Sequence, residues 1–392
     1  MKRDTSIYLD GVRLLAALIV VAGHTEWTFA PGLLPLIREG HLATLAVGIF
    51  FVLSGFVIGY AVDQKETDVR SYFLNRAARV YSVVIPVLVL TLLIEVCGRE
   101  LAPDIYKTTP NVGNVLKDGL RLLVSLTFVN QAWQFNLTPV GNIPFWSLAY
   151  EVPYYVTFGL WFFGGTWWRL GAVAVMMAAG PYIALLFGLW LLGYGSYRLC
   201  NRIALTRVQG RALLLASLLC LGMAADLARF FPETTPFAGG IIGFLQFYVA
   251  GIPFAGTIVG FAFSDIPLAR SGWAKPVRWA AGATFTIYLM HYPIGRLLSA
   301  LVPHSWPLAG RWFGIFGGVV LLSLLVAEVS ERRKDVWRRA LSRFSIREPT
   351  RRRRELSQDL QTGRSVSDKI EACNIPRSSE ARSSEARFSE AS

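Results

Sequence analysis

Apolar runs that approach the length of a bilayer crossing recur from residue 11 to residue 330 of this chain. A helix needs about 20 such residues to span roughly 30 Å of hydrocarbon. No water reaches the backbone there, so each run must satisfy its own N–H and C=O groups as a helix. A chain of this kind can fold only as a bundle of membrane helices. Composition agrees, since 17% of the residues are charged, against about 25% in ordinary soluble domains.

The pattern predicts an all-α, polytopic integral membrane protein of about ten transmembrane helices. The expected spans are 11–30, 42–62, 80–97, 145–163, 170–180, 181–197, 212–229, 239–263, 278–301 and 309–330. Residues 170–197 form one apolar stretch interrupted at Gly180-Pro181, which reads either as two short helices or as one kinked span. Residues 118–130 (DGLRLLVSLTFVN) are short for a crossing and are expected as an interfacial or re-entrant helix. The first run has the length of a signal-peptide core, but its polar residues are periodic and further spans follow at once.

The net charge of +13 is unevenly placed. With the N-terminus inside, Arg70, Arg76, Arg79, Arg169, Arg198, Arg202, Arg207, Arg211, Arg270, Lys275 and Arg278 fall on one side. The opposite loops are poorer in Lys and Arg, which predicts cytoplasmic termini. Residues 1–330 are expected as the membrane domain. Residues 331–392 are expected as a basic, disordered cytoplasmic tail ending in the low-complexity RSSEARSSEARFSEAS. A basic segment beside a membrane faces anionic lipid, so membrane lipids rather than nucleic acid are the expected partners.

Polar residues inside the spans carry the chemistry. His24 follows Arg13 by eleven positions, an offset of three turns plus about 20°, so both lie on one helix face with a rise of about 16.5 Å. Asp10 and Arg13, three apart, can pair near one membrane surface. An ionisable group at such depth costs about 2.5–3.5 kcal/mol unless paired or hydrated. The stripe therefore marks a polar path into the membrane, with His24 as a general base or as a packing histidine. Glu26 is expected to face elsewhere, at the outer surface.

In the second span Gly48, Ser54, Gly55 and Gly59 form a face of small residues. It suits close helix packing, or a slot for a thin ligand such as a pantetheine arm. Arg76 and Arg79 share a face just before the expected third span. Fixed guanidinium groups suit phosphate recognition, and they also serve as topology signals. Glu151 lies about 9 Å into the fourth span and needs a partner, either a histidine, a substrate hydroxyl or a structural counter-ion. His291, in the ninth span, is placed to approach His24 and Glu151 and reads as structural before catalytic. His41 and His304 read as loop histidines. The acid–base inventory of the spans is then His24, Glu151 and His291. Cys97, Cys200, Cys220 and Cys373 have neither metal-like nor paired spacing, and no metal is expected.

In order along the chain, YLDGVRLLAALIVVAGH, AVGIFFVLSGFVIGY, NRAARVYSVVIP, FWSLAYE and TIYLMHYPI together resemble the membrane-bound acyltransferase-3 family. Its members O-acylate sugars and related molecules. The resemblance implies that His24, with Arg13, is the catalytic element of the first helix, and that the Arg76/Arg79 pair is associated with the acyl donor. Glu151 matches the first acidic residue of a WSLxxEE-type segment; the second position is Val152 here. No soluble SGNH-type esterase domain follows the membrane region in this sequence, so the membrane domain or a separate chain is expected to complete the transfer. The expected enzyme is an O-acetyltransferase of a bacterial inner membrane, with no permanently bound cofactor. It would take acetyl-CoA or another acyl-CoA as donor. The acceptor would be a hydroxyl of a glycan or glycolipid (O-antigen, exopolysaccharide or a nodulation-type lipo-oligosaccharide), or else of a macrolide or other small hydroxyl compound. His24, oriented by Glu151, would remove the hydroxyl proton directly or carry the acetyl group itself. A transporter or flippase of a lipid-linked glycan is the alternative from another class, favoured by inverted repeats.

Overall fold

The computed structural model of the protein describes residues 1–66, 68–106, 115–231 and 240–344. Met1–Ser342 form one compact unit; nearly all of the second unit, Arg343–Ser392, lies outside the described residues. Every regular element among the described residues is helical. In chain order these are α1 (Arg3–His24), α2 (Pro35–Glu39), α3 (Leu42–Gln64), α4 (Val69–Leu101) and α5 (Pro103–Tyr106). Then come α6 (Val115–Leu126), α7 (Leu148–Phe163), α8 (Thr166–Ala179), α9 (Pro181–Cys200) and α10 (Arg207–Ala228). The last are α11 (Gly240–Ser264), α12 (Ala274–Ala281), α13 (Thr284–Leu301), α14 (Leu308–Val329) and α15 (Lys334–Phe344).

The protein is an all-α polytopic membrane protein. Seven segments are long and apolar enough to cross: Arg3–Phe29, α3, α4, α9, α10, Ile242–Ser264 and Leu308–Arg343. The three other expected spans are α7, α8 and α13. The first two have 16 and 14 residues, about 24 and 21 Å, and α13 carries His291 and Arg296. Residues 170–197 are two helices, parted at Gly180, whose φ of +98° no helix accommodates. Residues 115–126 form a short amphipathic helix, α6, of 12 residues.

α4 starts earlier than the apolar pattern predicts. Asp68 accepts the Ser71 N–H at 2.8 Å, capping a helix that runs unbroken through Pro86. Arg76 and Arg79 are therefore inside the third span's helix rather than in a loop before it. At the other end, helical structure continues past the expected boundary at 330. Glu331–Arg333 form a 3₁₀ turn and α15 follows; the rest of the expected tail lies outside the described residues.

α3 lies at the centre, packed against α1, α9 and α11. Its glycines pack rather than form a slot. A Cβ on Gly55 would overlap the Trp190 carbonyl, and one on Gly193 of α9 would overlap the Val52 carbonyl. The two backbones therefore cross in direct contact. Ser54, beside this crossing, lines a cavity.

Candidate active site

Two of the cavities among the described residues hold the ionisable side chains of the expected site. The first, of about 850 Å³ with its mouth, is lined by Arg13 of α1, Ser54 of α3, Arg79 of α4, Glu151 and Tyr155 of α7, and Tyr288 of α13. The second, about 990 Å³, is lined by His24, Trp27, Thr44, Trp146, Tyr288 and Tyr292 among others. Val47 and Tyr288 belong to both linings and form the partition between them. Helix α1 thus presents Arg13 to one chamber and His24 to the other.

The cations of the first cavity, Arg13 and Arg79, come from two helices, α1 and α4. Arg13 pairs loosely with Asp10 at 3.9 Å, and Asp10 also faces Arg278 at 3.8 Å. No ion pair ties down Arg79 among the described residues; Glu151, Glu331 and Asp10 lie within electrostatic range of it. Arg76, expected to act with Arg79, is placed differently. Three residues apart on a helix is near but not identical in direction, and Arg76 meets Glu66 in a close ion pair beside the Tyr72 ring. Glu66, 2% exposed, also takes the Asn75 amide at 2.9 Å. Arg76 does not line the cavity; it joins α4 to the turn that precedes it.

Glu151 is not the partner of His24. Its carboxylate accepts the Ser54 hydroxyl at 2.6 Å and, on the same oxygen, a close hydrogen bond from Tyr155. The Trp190 indole N–H donates to Ser54 Oγ at 3.2 Å. This correction separates the carboxylate from the imidazole by the Val47–Tyr288 partition.

The neighbour of His24 is His291, with ring centroids 5.0 Å apart; Tyr292 stands edge-on to His24 at 5.5 Å. His291 is fully buried, and its Nδ1–H donates to the Tyr288 carbonyl at 2.6 Å. α1 gives way after His24 to a wide π-helical turn, Thr25–Phe29. Such turns re-aim the adjoining side chains. The turn also brings Glu26 inside, contrary to its expected place at the outer surface. Glu26 is 1% exposed and accepts the N–H groups of Gly32, Leu34 and Trp312. Of the two loop histidines, His41 precedes α3 and its ring bonds Gln246 of α11 at 2.9 Å, and His304 lies in the turn before α14.

Some residues escaped the sequence reading. Tyr155 was within reach of it, being one turn beyond Glu151. Glu95 and Arg296 were too, since each is a charge inside an apolar run; they form a buried 2.9 Å ion pair with Tyr106 against the guanidinium. The acid–base inventory of the spans is correspondingly larger than His24, Glu151 and His291. Glu331 carried no local signal. It accepts the Thr286 N–H at 3.0 Å in the first turn of α13, within electrostatic range of Arg13 and Arg79.

The acyltransferase domain model of the acyltransferase-3 family matches residues 6–328. Acyltransferase MdmB of Streptomyces mycarofaciens is 30% identical over 188 residues, covering 45% of this chain and 46% of that protein. Protein 2 in the picA locus of Rhizobium radiobacter is 29% identical over 194 residues, 45% of this chain and 95% of that protein. Peptidoglycan O-acetyltransferase OatA of Listeria monocytogenes is 25% identical over 382 residues, 83% of this chain and 54% of that protein. The chain thus spans about half the length of the two named acyltransferases it matches. No solved structure matches it significantly.

Proposed function

The chain belongs to the acyltransferase-3 family, and from that premise we propose that it is an integral-membrane O-acyltransferase moving an acetyl group from acetyl-CoA to a glycan hydroxyl. The observation that carries this reading is the pair of chambers meeting at Val47 and Tyr288. One is cationic at Arg13 and Arg79, and the other holds the candidate base His24. Arg79 and Arg13 would meet donor phosphates, where fixed guanidinium groups make strong paired hydrogen bonds. The pantetheine arm would then extend past Ser54 toward the partition. His24 would take the proton of an acceptor hydroxyl from its own chamber as the oxygen attacks the thioester carbon. The C–S bond breaks, and the leaving thiolate takes up a proton.

A cytoplasmic donor site with an acceptor chamber opening elsewhere suits a bacterial inner membrane with both termini cytoplasmic. The glycan acceptor class rests on family membership and on the one named relative that is a peptidoglycan O-acetyltransferase. The test uses cells with and without the gene. Mass spectrometry of surface glycans should show an acetyl-sized difference, and isolated membranes should move label from acetyl-CoA into the glycan fraction. No transfer above the deletion background in either measurement would refute the reading.

A further inference from the structure

The His24–His291 pair contains a hydrogen-bonding group that the proposed chemistry has not used. His291 donates its Nδ1–H to the Tyr288 carbonyl, so its Nε2 carries a lone pair. That nitrogen is buried and has no hydrogen-bond partner among the described residues. An acceptor buried without a partner costs about 1–3 kcal/mol, so a native orphan calls for an explanation. The ring it faces across 5.0 Å is that of His24, which itself makes no hydrogen bond among the described residues. An N–H···N bond of about 2.9 Å between two imidazoles places their centroids roughly 5 Å apart. The separation is already right; what is missing is a His24 ring nitrogen aimed at His291 Nε2, which a turn of the His24 ring supplies. His24 borders an open chamber and can turn, whereas His291 is fully enclosed and held at Nδ1.

We propose that His291 is a positioning residue for His24, its Nε2 accepting the N–H of the His24 ring during transfer. This rests on the reading of His24 as the base. The bond fixes the His24 tautomer, so that the opposite ring nitrogen presents its lone pair to the acceptor hydroxyl. The acceptor proton moves to that nitrogen as the oxygen–carbon bond forms and the carbon–sulfur bond breaks. The imidazolium then keeps its other N–H on His291 until the proton leaves for the thiolate. His291 fills the orienting role that a carboxylate plays beside many catalytic histidines, without placing a second charge in the membrane interior.

The experiment measures apparent kcat and KM for labelled acetyl-CoA in membranes holding the full chain at matched amounts, following label in extracted glycans. His291→Phe keeps an aromatic ring but has no acceptor. His291→Gln sets an amide carbonyl near the Nε2 position, and His291→Asn near Nδ1. His291→Phe should lower kcat at least about tenfold, less than the roughly 10²–10⁴-fold a general base supplies because His24 itself remains, with KM for acetyl-CoA unchanged. His291→Gln should recover much of the loss and exceed His291→Asn. Full activity in His291→Phe would overturn the proposal, as would equal activity of the Gln and Asn variants, which also decides the matter if the Phe variant does not accumulate. His24→Ala separates the two readings. Retained transfer there removes His24 as base, whereas its loss alongside a fully active His291→Phe removes only the positioning role.

Discussion

Ser54 donates a 2.6 Å hydrogen bond to Glu151 across 97 positions of sequence, joining α3 to α7 at the wall of the Arg-lined cavity. Tyr155 shares the same carboxylate oxygen, and Trp190 donates to Ser54 from the other side. A membrane-embedded carboxylate is thereby hydrogen-bonded by hydroxyl donors rather than by an imidazole, with Arg79 within electrostatic range of it.

This arrangement predicts a donor-side phenotype for Glu151. Glu151→Ala leaves the Ser54 and Tyr155 hydroxyls without their acceptor and should cost about 1–3 kcal/mol of stability. It should also raise KM for acetyl-CoA. Glu151→Gln, which keeps one carbonyl acceptor, should be milder on both counts. The check is thermal denaturation in detergent together with label transfer. A defect confined to kcat with normal KM would return Glu151 to the service of His24.

Arg76 and Arg79 should separate cleanly. Arg76→Ala strands the buried Glu66 carboxylate, and removing one partner of such a pair costs about 3 kcal/mol. Its signature is a lowered melting temperature, partly restored by adding Glu66→Gln. Arg79→Ala breaks no ion pair and should leave melting nearly unchanged while weakening acetyl-CoA binding. Arg79→Lys should recover only part, lacking the planar fork. Calorimetric binding of acetyl-CoA to both purified variants distinguishes the two roles, and equal affinity loss with equal stability would contradict the separation.

The α3–α9 crossing sets a steric prediction. Gly55→Ala and Gly193→Ala each push a methyl group into a backbone carbonyl and should prevent accumulation of folded protein. Gly195→Ala, two residues along α9, meets nothing within 4 Å and should be tolerated. Fluorescence-detected size exclusion of tagged variants reads this directly.

Ten crossings require that residues 65–68 and 201–206 share a side, with 103–106 on the other. Single cysteines placed in these segments, in a background with the native cysteines replaced, should label accordingly with an impermeant maleimide. Identical labelling of all three segments would break the ten-span topology.

The helical membrane character could be argued from the chain alone because its cause is local. An apolar run of bilayer length has no way to satisfy its backbone except as a helix, whatever surrounds it. The common face of Arg13 and His24 was legible for the same reason, since periodicity along one helix depends on nothing outside it. What these residues meet was decided by tertiary structure. Whether Glu151 finds Ser54 or His24, Arg76 finds Glu66 or a phosphate, or His24 finds His291 depends on how helices far apart in sequence are rotated and slid against one another. That geometry is set where backbones touch, as at Gly55 and Gly193, and by the partition of Val47 and Tyr288. A shift of one turn in any of these helices, about 5.4 Å, would change the partners without altering any local pattern in the sequence.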